Sequence, residues 1–94
     1  MDEVRLSGHL IFRMRLREIP DELPLKVYRE ADERYVDQES DRMIAVKRMV
    51  YKGRLRELMV AYENQGDTVM LVTIHPLKDD QKNNRVIMGR WKPL

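Results

Sequence analysis

The apolar residues change period at Ala31, and this switch constrains the fold of the chain more than any other feature. Before it, Leu10, Ile11 and Met14 gather on one side of a helix and Phe12, Leu16 and Ile19 on another when turned at helical pitch, so a first helix is expected to be covered on more than one side. After it come short runs rich in β-branched and aromatic residues, separated by turn formers, which is the pattern of strands. The switch predicts an α+β fold, with two N-terminal helices followed by a four-stranded or slightly larger antiparallel sheet.

Local signals set the boundaries. Ser7 suits the N-cap of a helix reaching about Arg17, because its hydroxyl can accept a hydrogen bond from a backbone N–H two or three residues on. Pro20 disfavours helical geometry at Ile19, and Asp21 with Glu22 suits the positive end of a second helix over 21–30, where Pro24 is tolerated only in the first turn. Strands are expected over 33–38, 42–51, 54–63 and 68–75, joined by 39–41, by Lys52-Gly53 and by 64–67. These links are short enough for a simple meander. The polar stretch 78–84 reads as an exposed loop, and 86–88 as a last short strand or turn.

The 94 residues fit one core, so residues 1–94 form a single domain. Hydrophobic residues at 43% supply that core, and charged residues at 36% imply an ionic exterior. With no cysteine there is no disulfide framework, and a cytoplasmic address is expected. No apolar run approaches the roughly 20 residues of a membrane helix. The opening Asp2-Glu3 is unlike the basic start of a secretory signal. Net charge is +2 and the pI is about 9.0, which permits an anionic partner without requiring one.

Two constellations carry potential chemistry. His9, Arg13 and Arg17 are spaced four apart and follow one another along a helix face. Guanidinium groups bind phosphate oxygens in pairs, and a histidine near a helix N-terminus is favoured in its neutral, proton-accepting form. The same stripe also fits a solvated helix face. In the sheet, even-length turns would place Lys47, Arg56, Leu58, Val60, Tyr62, Val69, Leu71, Thr73 and His75 on one face, bringing Lys47, Arg56 and His75 together. The opposite face, with Ile44, Val46, Val50, Leu55, Met59, Ala61, Met70, Val72 and Ile74, is almost wholly apolar apart from Arg48 and Glu57 and is expected to pack on the helices. A one-residue bulge would scatter the cluster.

Two histidines and no close carboxylate pair predict no metal site, and four isolated glycines provide no phosphate loop, so no cofactor is expected. No serine and histidine form a recognisable acyl-transfer motif.

The segment from His9 through Arg13 and Arg17 to Ile19, the strand ending Val72-Thr73-Ile74 before Pro76, and the tail Gly89-Arg90-Trp91 resemble a small family of uncharacterised prokaryotic domains. That family is grouped with RelE- and ParE-like toxins and the wider barnase, colicin and RelE nuclease fold. The resemblance implies helices on an antiparallel sheet, cleavage of RNA by basic residues, histidines or tyrosines in place of a metal, and pairing with an antitoxin protein. Carried over by position, it points to His9, Arg13, Arg17, Thr73 and Arg90. ParE-like members imply that a protein target is an alternative to RNA or the ribosome. The resulting expectation is a metal-independent, RNA-directed toxin-type protein. His9 or His75 would move protons, and Arg13, Arg17, Lys47, Arg56, Thr73 and Arg90 would hold substrate. The alternative is a noncatalytic module that binds protein or nucleic acid.

Overall fold

The computed structural model describes residues 3–94; the acidic opening at Asp2 lies outside them. The first described element is a strand, β1 (Glu3–Leu6), followed by α1 (Gly8–Leu16), α2 (Glu22–Arg29), β2 (Glu33–Asp37), β3 (Met43–Tyr51), β4 (Arg54–Gln65) and β5 (Thr68–Pro76). The chain then forms α3 (Gln81–Ile87) and β6 (Trp91–Pro93). One six-stranded sheet has the order β1-β5-β4-β3-β2-β6.

The α+β class stands, but the expected arrangement does not. A strand precedes the helices and pairs parallel to β5, with Leu6 opposite Leu71, so the sheet is mixed. The stretch 78–84, expected as a loop, runs into a third helix, and the tail adds β6 antiparallel to β2. Physical reasons account for each difference. Short-range turn chemistry reveals hairpin partners, whereas β1 pairs with a strand more than sixty residues away. α3 buries none of its residues and so has no apolar stripe to betray it.

The middle of the sheet follows local chemistry closely. Lys52 and Gly53 both have positive φ, at 50° and 78°, which is the two-residue turn that matches strand twist, and Tyr51 faces Arg54 across it. At the next hairpin Gln65 pairs with Thr68, so the turn is tighter than the expected 64–67. Ser7 caps α1 as predicted, accepting from Leu10 N at 3.0 Å. Asp21 stands before α2, whose first turn contains Pro24.

The sheet is buried on both faces, which reverses the expected orientation. Ala45, Leu58, Val60, Tyr62, Val69 and Leu71 pack under Leu10 and Met14 of α1 and Leu23 and Val27 of α2. Ile44, Val46, Met59 and Ala61 instead meet Tyr35, Leu77 and Trp91. Because both faces are apolar, alternation alone does not tell which one the helices cover. α1 is also covered on only one side: Phe12 is 65% exposed and Leu16 is 70% exposed.

Candidate functional site

A bulge in β5 decides which side chains meet. Ala61 pairs with Thr73 and Tyr62 with Leu71, leaving Val72 unpaired. In a regular strand residues 71 and 73 share a face; the extra residue puts them on opposite faces. Leu71 and Ile74 therefore enter the core beneath the helices, while Thr73 joins Met59 and Ala61 on the other face, with His75 two residues further on.

The cluster of Lys47, Arg56 and His75 is thereby broken. Lys47 stays on the helix-covered face, with Nζ 3.8 Å from the Glu30 carboxylate. Arg56 donates to the Leu77 carbonyl at 3.2 Å. Neither shares the cleft that contains His75.

The helix stripe, by contrast, lies near enough for its charges to act on His75. β1 stops at Leu6, and Ser7 N donates to Leu71 O at 2.9 Å, carrying the chain along the edge of β5 directly into α1. The Ser7 hydroxyl also donates to the carbonyl of the bulged Val72 at 3.0 Å. One side chain thus ties the start of the helix to the irregularity that turns His75 outward. His9 and Arg17 are exposed and Arg13 is half-buried, with its Nε enclosed and lacking a hydrogen-bond partner among the described residues.

His75 is half-buried, and its Nε2 lies 3.3 Å from the Thr73 hydroxyl oxygen. Burial is the largest influence on its pKa, followed by the charges of Arg13, Arg17 and Arg85 and then His9; together they push it below the ordinary 6.5. Both effects disfavour the charged ring. His75 is therefore a neutral imidazole at pH 7, able to accept a proton, inside a field that attracts anions.

His75 lines a cleft of about 220 Å³ together with Thr73, Arg42, Arg85 and Arg90. It also lines an adjoining one of about 260 Å³ with Met59, Gln81 and Arg85. Arg90 is largely occupied: its Nε and a terminal nitrogen lie 3.3 Å from the two oxygens of Asp37, and its Nε lies 3.4 Å from Glu39. Asp37 is only 4% exposed. Burial raises its pKa, but the bonds from Arg90 and from the backbone of Glu39 and Ser40 prevail and hold the carboxyl below its usual range. The pair fixes the tail against β2.

Sequence reasoning missed Arg85. It stands on α3, in a polar stretch without apolar spacing, and only the fold carries it to the cleft. Trp91, part of the tail pattern, is a core residue: it is 1% exposed and stacks on Tyr35 with ring centroids 5.8 Å apart.

Among the described residues no three His, Cys, Asp or Glu side chains gather as a metal-binding group. Nor is any described helix long and apolar enough to cross a membrane. The assembled chemistry is a proton acceptor flanked by guanidinium groups, suited to a phosphate-bearing ligand. Comparison with family models, with curated proteins and with solved structures found no match to this chain.

Proposed function

We propose that this protein is an RNA-directed, metal-independent protein of the RelE-like toxin type, acting on the phosphodiester backbone at the His75 cleft. The observation that carries the proposal is a half-buried His75, 3.3 Å from the Thr73 hydroxyl and lining two clefts with Arg85; burial and the charges of Arg13 and Arg17 lower its pKa. In this role His75 takes the proton of a ribose 2′-hydroxyl as its oxygen bonds to phosphorus. The bond from phosphorus to the 5′-oxygen breaks, and that oxygen takes a proton from solvent water relayed by His9, leaving a cyclic phosphate and a 5′-hydroxyl, while His75 later gives its proton to solvent. Arg13 and Arg17 hold the phosphate oxygens and stabilise the charge that develops on them. RNA, free or on the ribosome, is the partner this chemistry favours, with a cognate antitoxin protein as the regulator implied by the resemblance.

A specific observation favours a second reading, a noncatalytic binding module. Ile11, Phe12 and Leu16 expose apolar surface on the helix that carries the cationic stripe, as a protein-contacting surface does. Incubation of a mixed-sequence RNA with the purified chain in excess chelator separates the two. Cleavage that persists in chelator and falls by about a hundredfold or more in His75→Gln supports catalysis, as expected for loss of a general base. RNA bound but left intact favours the module, and cleavage restored only by added zinc or magnesium rejects the metal-independent chemistry.

A further inference from the structure

We propose that Arg85 is the phosphate clamp of this cleft, with its guanidinium plane set by the face of Trp91. The inference rests on the assignment of the His75 cleft to RNA and names a residue for the role that the tail pattern had given to Arg90.

Geometry distinguishes the two arginines. Arg90 directs its donors to Asp37 and Glu39, which leaves it little capacity for a ligand. Arg85 has no ion pair and no side-chain hydrogen bond among the described residues, although it is half-buried. The carboxylates of Asp37 and Glu39 act on it through their charge but make no direct contact with it, and burial with the charge of Arg90 outweighs them; a phosphate bonded directly to such a partly desolvated guanidinium is favourable. Its charge acts on His75 and that of Arg90 acts on it, and it lines both clefts that His75 lines.

Trp91 supplies the orientation. The centre of the Arg85 guanidinium lies 4.9 Å from the indole centroid. The indole is itself fixed, stacked on Tyr35 and carried by β6 opposite Asp37. Stacking uses the flat face of a guanidinium and leaves the N–H groups around its edge available, the geometry that binds two phosphate oxygens at once. Lysine has no such plane. α3 keeps this group in place without burying a residue of its own, because Lys82 bridges Glu33 and Glu57 at 2.6 and 3.0 Å. Arg85 thus lines the cleft beside His75, while Arg13 and Arg17 of α1 act on that ring through their charge from outside the cleft lining.

Trp91 is the only tryptophan in the chain, so its emission reports on the contact directly. The experiment titrates the full chain with a short single-stranded RNA, following both Trp91 fluorescence and affinity at several salt concentrations. Arg85→Gln, Arg85→Lys and the pair Arg13→Ala with Arg17→Ala are compared, with urea midpoints establishing that each is folded. The parent emission should shift on binding. Arg85→Gln should weaken RNA binding about tenfold or more, as loss of a charge-assisted contact does. It should also reduce the salt slope by about 0.7, the single-strand value for one phosphate contact. Arg85→Lys, which keeps the charge but loses the plane, should still bind at least about threefold more weakly than the parent. A folded Arg85→Lys or Arg85→Gln with the parent's affinity overturns the clamp. If the Arg13 and Arg17 pair still weakens binding in that case, the RNA assignment survives without Arg85. If no variant weakens it, that assignment fails too.

Discussion

Replacing Ser7 with alanine removes one hydroxyl and loosens two parts of the site at once. The hydroxyl accepts from Leu10 N and donates to Val72 O, each at 3.0 Å, in a partly buried setting. Loss of an N-cap costs about 1 kcal/mol, and the bond to the bulge carbonyl contributes about 1 kcal/mol more. A cost of about 2 kcal/mol lowers the melting temperature by roughly 8–16 °C in a domain of this size. Ser7→Thr keeps the hydroxyl and should lie within about 0.5 kcal/mol of the parent. Urea and thermal unfolding followed by circular dichroism give both values. Since the same hydroxyl links α1 to the bulge, Ser7→Ala should also weaken RNA binding through Arg13 and Arg17. A Ser7→Ala variant melting within about 2 °C of the parent refutes the two-bond account.

Acid should destabilise the fold through His75, whose pKa lies below 6.5 when folded, mainly from burial. The unfolded chain then binds the proton more readily, so stability is fully present above about pH 6.5 and is lost as pH falls towards and through the folded value; urea midpoints between pH 8 and pH 5 should show that fall, and His75→Gln should flatten it. Lys82→Met keeps the aliphatic stem but leaves Glu33 and Glu57 facing each other, with an expected loss of about 1 kcal/mol because both carboxylates are partly solvated. That loss is read from urea midpoints and should shrink in high salt; a variant as stable as the parent at low salt contradicts the bridging role.

How far the sequence disclosed this molecule depended on the range of the interactions involved. Ser7, Pro20 and Lys52-Gly53 act on their immediate neighbours, so both N-terminal helices and the β3–β4 hairpin were legible. β1 was not, because parallel pairing with β5 leaves no turn between partners. α3 is held by the charged Lys82, by Arg85 against Trp91 and by Val86 beside the core, a helical spacing in which two of the three residues are charged and so give no apolar stripe. The helix stripe was legible from spacing alone. The setting of His75 was not, because that depends on the unpaired Val72, a single residue that reverses which face Thr73 and His75 occupy. The same residue separates His75 from Lys47 and Arg56.

The most direct test of the central claim is the nuclear magnetic resonance map of the full chain titrated with a short single-stranded RNA. Perturbation is expected at His75 and Thr73 on β5, at Arg13 and Arg17 on α1, and at Arg85 on α3, with a His75 ring that titrates below pH 6.5 in the free protein. Perturbation centred on Lys47 and Arg56, or no saturable response at the His75 cleft, would contradict it.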